Sequence, residues 1–111
     1  MTLIRVTYTI KQSKLTIETD HPPSVKVAIN SVKKNREELE AYILKNPEFL
    51  TSFEPLKIRD APEIVQKMAN ASLEAGVGPM TAVAGALADL AVDAMLVTAK
   101  VAVVENGGEL S

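Results

Sequence analysis

The sequence predicts an α+β fold: a two-layer α/β sandwich in which an N-terminal β-hairpin and a C-terminal strand share one small sheet, with about three helices packed on one face. Three observations carry this. The first twenty residues alternate apolar and polar side chains twice, the middle of the chain repeats apolar residues at three- and four-residue steps, and a Val-rich run stands near the end. At 111 residues the chain is read as a single domain, 1–111, long enough to bury about two thirds of its unfolded surface.

The elements follow in order. In residues 3–11, Ile4, Val6, Tyr8 and Ile10 share one face while Arg5, Thr7 and Thr9 share the other, the pattern of a strand with one wet side. After Gln12-Ser13 the alternation resumes through Leu15 and Ile17, so the two runs read as an antiparallel hairpin. Beyond the loop "DHPPS", Ser24 is placed to cap a helix over about 25–45, with an apolar stripe through Val25, Ala28, Ile29, Val32, Leu39, Tyr42 and Ile43. Asn35 with Glu38 resembles a capping box in mid-pattern, but the unbroken stripe favours one helix, which Asn46-Pro47 stops.

"PEFLTSFEPLKIR" has no period and reads as a loop lying over the edge of the core. Asp60 as cap, Pro62 in the first turn and Glu63 then open a second helix through Ile64, Val65, Met68, Ala69, Ser72 and Leu73, and Gly76 stands where a left-handed helix end prefers glycine. Gly78-Pro79 opens the third helix, with Ala82, Gly85, Ala86, Asp89 and Asp93 along one side and Met80, Val83, Ala84, Leu87, Leu90 and Ala91 along the other. The run from Val101 to Glu105 reads as a strand covered on both faces and lying inside the sheet.

Composition narrows the function classes. Hydrophobic residues make up 47% but aromatics only 4%, with no Trp, so the core is aliphatic. There is no cysteine, hence no disulfide framework, thiolate metal site or cysteine nucleophile, which fits a reducing, cytoplasmic setting. The opening residues carry no export-signal pattern, and Val77–Val104 is broken by Asp89, Asp93 and Lys100 before an uncharged span of the roughly 18 residues a bilayer needs; no membrane partner is expected. Charge is uneven, +3 over residues 1–59 and −5 over 60–111, an asymmetry that would draw two copies together and makes self-association an expectation. With a pI near 5.4, no nucleic-acid partner is expected.

Candidate chemistry is sparse. In "EAGVGPM", Gly76 and Gly78 before a helix start suit the cradling of a phosphate or carboxylate; equally they suit a tight helix-to-helix turn. No strand precedes them and no Lys-Ser/Thr follows, so this is neither a dinucleotide fingerprint nor a Walker loop. "ENGG" is either a hairpin turn or a ligand contact. Asp89 and Asp93, one turn apart, have spacing suited to metal or acid–base work but read first as a solvated stripe. His21, the only histidine, lies in a loop between Asp20 and Pro22 and reads as solvent-exposed, so neither a histidine metal site nor a Ser-His-Asp triad can be assembled. "KKNR" at 33–36 reads as a solvated helix face paired with Glu37, Glu38 and Glu40.

The stretches "NREELEAYILKNPEFLTSFEPL", "APEIVQKMANASLEAGVGPMTAVAGALADLAV" and "VAVVENGGEL" resemble the amino-terminal half of a largely archaeal family of unassigned function. That family is itself similar to the flavin transferases that move flavin mononucleotide from FAD to protein threonines, the thiamine-biosynthesis lipoprotein superfamily. The resemblance implies a flavin or nucleotide cofactor site at Gly76, Gly78, Pro79, Asn106, Gly107 and Gly108. Glu109 stands where an Asp commonly follows the paired glycines, and the residues that hold magnesium in the transferases belong to a second half. The chain is therefore expected to be a half-domain descendant or a fragment, non-catalytic on its own, with no metal site and a weak flavin or nucleotide contact. The alternative is a flavin-dependent or flavin-transferring enzyme completed by homo-oligomerisation, with Asp89, Asp93 and Glu109 supplying acidic groups.

Overall fold

A computed structural model describes residues 2–11 and 13–107. Strand β1 (Ile4–Ile10) and β2 (Ser13–Thr19) form the expected hairpin, antiparallel, with Val6 opposite Ile17 and Tyr8 opposite Leu15. Alternation decides which side faces inward: Leu15, Ile17 and Thr19 are fully buried, while Arg5, Thr7 and Thr9 face solvent.

Helix α1 (Pro23–Lys45) is a single helix, as its unbroken stripe requires. Its start differs from expectation. Pro22 holds the cap position, and Ser24 lies buried inside the helix with its hydroxyl 3.4 Å from that of Thr98. Asn35 likewise bonds back to the Ser31 carbonyl at 2.9 Å, which leaves the helix unbroken.

The segment after Asn46 is more ordered than its lack of period suggests. Pro47 stops α1 yet has helical φ, so it starts a one-turn helix α2 (Glu48–Thr51) that drives Phe49 fully into the core, edge-on to Tyr42 at 5.4 Å. Helix α3 (Glu63–Ala75) begins after Pro62, whose ψ of 154° is extended. Asp60 therefore sits outside the helix rather than capping it, and itself has φ of 53°. Gly76 ends α3 in the left-handed conformation, as expected, with φ of 72°. A 3-10 turn over Pro79–Ala82 leads into α4 (Val83–Met95).

The last strand, β3 (Ala102–Asn106), corrects the sequence reading in two respects. It lies at the edge of a sheet ordered β1-β2-β3, antiparallel to β2, and it alternates half-buried with exposed residues instead of being covered on both sides. Only Val103 disguises the alternation: it is an apolar residue on the wet face, opposite Glu18.

The core has two connected parts. Ile10, Leu15 and Ile17 of the hairpin meet Ala28 and Val32 of α1 and Ala91 and Met95 of α4. Further along the same two helices, Leu39, Leu87 and Leu90 meet Phe49 and the α3 residues Ile64, Val65 and Met68. Helices α1 and α4 thus touch the sheet with one end and α3 with the other, which gives a molecule 44 Å long and 27 by 24 Å across. Among the described residues no single helix is long and apolar enough to cross a membrane; α3 with the segment Pro79–Met95 reaches that length only as a pair bent by 107°.

Candidate functional site

The hairpin tip, the middle of α1, α2, the start of α4 and the end of β3 surround a groove of about 620 Å³. Its walls are apolar: Leu39 and Ile43 from α1, Leu50 from α2, Met80 from the 3-10 turn, and Val83, Ala84 and Leu87 from α4. Its polar groups, Lys11, Ser13, Arg36, Glu40 and Asn106, come from the hairpin, α1 and β3.

Arg36 falls on the apolar stripe of α1, in step with Val32, Leu39 and Ile43, so the helix carries its guanidinium toward the sheet rather than into water. Nη1 donates to the Ser13 hydroxyl at 3.0 Å. Arg36 Nε is buried and has no partner among the described residues, and the same holds for Asn106 Oδ1 at the end of β3. Both residues line the groove, and a buried donor and a buried acceptor without partners cost stability, a cost that a ligand removes only where it displaces the groups that cover the two atoms. Beside them, Lys11 and Glu40 form an ion pair at 2.8 Å between hairpin and helix. The Lys11 hydrogen bond draws the Glu40 carboxyl below its ordinary value against the opposing effect of burial, aided by the charges of Lys11 and Arg36.

The structure separates the glycine positions by role. Gly76 closes α3 and has open space where a side chain would stand. Gly78 lies buried against the Ser52 carbonyl, which a Cβ would strike, and Pro79 is buried beside it. None of these three lines the groove; Met80, the next residue, does. Asn106 lines it directly, and Gly107 donates to the Lys14 carbonyl at 3.0 Å, continuing the pairing of β3 with β2. Gly108 and Glu109 lie outside the described residues. The two segments singled out in the sequence therefore meet one groove through Met80 and Asn106, while the α3–α4 junction glycines shape the turn behind it.

Other candidates stand apart. Asp89 is exposed, 3.9 Å from Lys67, and Asp93 borders a separate shallow groove with Lys34 and Glu63. His21 is half-buried rather than fully exposed, its amide donating to Thr19 Oγ1 at 3.1 Å. Among the described residues no three His, Asp or Glu side chains gather to hold a metal ion. The basic cluster splits: Lys34 faces Glu38 at 4.0 Å, Lys33 lies 5.4 Å from the Tyr8 ring centre, and Arg36 turns inward. The signal for Arg36 was its place on the apolar stripe, hidden by three basic or polar neighbours; nothing local marks Lys11 or Leu50.

Fold and groove define a small α+β module with an amphipathic cleft between its sheet and its helices. The chain belongs to the family described as AbpE bacteria, whose model matches residues 2–111. It is similar to a UPF0280 protein of Methanococcus vannielii, 43% identical over 113 residues that cover 100% of this chain and 46% of the relative. UPF0280 proteins of Archaeoglobus fulgidus (44% identical; 96% and 46% covered) and Methanocaldococcus jannaschii (46% identical; 91% and 41% covered) are similar to it in the same way. The chain spans less than half the length of these curated relatives.

Proposed function

We propose that this chain binds the planar ring of a flavin or nucleotide in the groove between Arg36 and Asn106 and performs no chemistry on it unaided. The observation that carries the reading is the pairing of an apolar-walled groove of about 620 Å³ with one buried donor, Arg36 Nε, and one buried acceptor, Asn106 Oδ1, that have no partner among the described residues. Its volume is that of a small-molecule site. A heteroaromatic ring has apolar faces for Leu39, Met80 and Leu87 and an edge that both donates and accepts, the complement of those two atoms. The resemblance to flavin transferases read from the sequence suggests the chemical class; of the residues it implied, Asn106 lines the groove itself, and the turn between α3 and α4 reaches it through Met80. A cytoplasmic location, the expectation from a cysteine-free chain, belongs to the same reading.

Titration of FMN, FAD and ATP into isotopically labelled protein, with and without magnesium, tests it. Saturable amide shifts clustered at Arg36, Met80–Ala84 and Asn106 are expected. Absence of shifts at millimolar ligand, or shifts confined to Asp89 and Asp93, would overturn it. Magnesium-dependent flavin transfer to a threonine peptide would instead favour the enzyme reading.

A further inference from the structure

The charged lining of the groove consists of two cations and one carboxylate: Lys11 at the hairpin tip, with Arg36 and Glu40 one turn apart on α1. Glu40 is already engaged, its Oε2 accepting from Lys11 Nζ at 2.8 Å. Arg36 is half-buried and forms no ion pair among the described residues; its Nη1 donates to the neutral Ser13 hydroxyl. A guanidinium drawn partly out of water with only a hydroxyl for a partner is a charge short of its counterion. Lys11 is also held at a conformational cost. Ile10 pairs with Ser13, so the tip is a two-residue turn, and Lys11 stands in it with φ of 54°. Turns of this kind favour Asn, Asp or Gly at such a φ. The pair with Glu40 does not offset that cost, because its side chains are 60% and 50% exposed and ion pairs in that setting contribute little to stability.

We infer that the ring ligand of this groove carries a phosphate monoester, gripped between Arg36 and Lys11, and that Glu40 is the chain's own anion, which the phosphate displaces from Lys11. The inference rests on the ring-binding reading and narrows it to phosphorylated rings. With Glu40 turned away, two cations face the ligand, and a phosphate monoester brings a charge of about −1.5 to −2 to match them. The planar fork of Arg36 suits two phosphate oxygens at once, while Lys11 acts as a movable point charge. Nothing holds Glu40 in the way, since it is half exposed and turns into water at little cost. The Ser13 hydroxyl, which accepts from Arg36, still has its own proton to donate to a phosphate oxygen. Lysine at a position that suits asparagine is thereby explained by what its ammonium holds.

Paired titrations of FMN and riboflavin, which share the ring and differ in the phosphate, read the hairpin tip by itself; AMP against adenosine repeats the comparison for a purine. The native chain is expected to prefer the phosphorylated member by about 10-fold. Lys11→Asn, at a φ that suits asparagine, is expected to keep the urea midpoint and to lower that preference by about 5-fold. Glu40→Gln breaks the same ion pair from the other side, yet is expected to raise the preference by about 2- to 5-fold, because the competing carboxylate is gone. Opposite shifts from the two halves of one ion pair are the signature, since a purely structural pair would leave the preference where it stands. Equal affinity for FMN and riboflavin, and for AMP and adenosine, overturns this inference and leaves the ring-binding reading intact. Failure of all four to bind overturns both. A preference that falls in Glu40→Gln as it does in Lys11→Asn overturns the displacement of Glu40 and with it the inference.

Discussion

Asp20 at the end of β2 holds Val101 at the threshold of β3: its Oδ1 accepts the Val101 amide at 2.8 Å and the Lys100 amide at 3.0 Å. One carboxylate thus ties the returning chain to the strand beside which it will pair, across 81 residues of sequence. The Val101 amide is the main cause of an Asp20 pKa below the ordinary 3.8; desolvation opposes it, and the backbone amides of Asp20 and Lys100 and the charge of His21 assist. A depressed folded-state pKa contributes stability that is present above the unfolded value and is lost as pH falls through the folded one. The gap in urea midpoint between the native chain and Asp20→Ala is therefore expected to be open at pH 6 and to close progressively below about pH 4. A gap that persists unchanged at pH 2 would refute the clamp.

The two junction glycines fail for different reasons when substituted. At Gly78 the backbone is one any residue adopts, but a Cβ meets the Ser52 carbonyl, so Gly78→Ala must displace the segment after α2 and is expected to cost about 1–3 kcal/mol. At Gly76 there is room, but φ is 72°, so Gly76→Ala is expected to cost about 1–2 kcal/mol through backbone strain alone. Gly85, exposed on α4 with nothing within 4 Å of a new Cβ, is expected to gain about 0.5–1 kcal/mol as alanine. Urea unfolding of the three variants checks the order; a stabilising Gly78→Ala would contradict the packing described.

The two phenylalanines offer a sharper contrast. Phe49 is fully buried against Tyr42, whereas Phe53, four residues on, is 92% exposed. Phe49→Ala is expected to cost about 3–5 kcal/mol and Phe53→Ala to stay within about 0.5 kcal/mol. Thermal unfolding of both variants measures the difference.

Those phenylalanines also show where legibility ended. Strong periods were enough for the hairpin, for α1 as one helix and for the body of α3, because burial follows the same 2- and 3.6-residue repeats that the sequence displays. The Phe49 turn was not legible, since a four-residue helix has no period and its depth depends on Tyr42 and α3 being in place. For β3, one exposed valine made an alternating edge strand look doubly covered. In the groove, Asn106 could be named from its turn sequence, but Lys11, Arg36 and Glu40 gather only when the hairpin folds over α1. Contacts across 23 and 29 residues leave no local trace.

Asn106 supplies the prediction that separates a binding groove from a structural defect. Its buried Oδ1 has no partner among the described residues, which costs stability, and Leu is close to Asn in shape with no polar atom to satisfy. Asn106→Leu is therefore expected to leave stability unchanged or raise it by about 1 kcal/mol. If the groove takes a ring edge at this atom, the same variant loses flavin or nucleotide affinity by about 10-fold, the worth of one buried hydrogen bond. Paired urea and fluorescence titrations read both quantities in one protein. Destabilisation would mean that Asn106 already has a structural partner; gain of stability without loss of binding would place the ligand elsewhere. Stability bought back at the expense of affinity is the pattern of a residue kept polar for what it holds rather than for the fold.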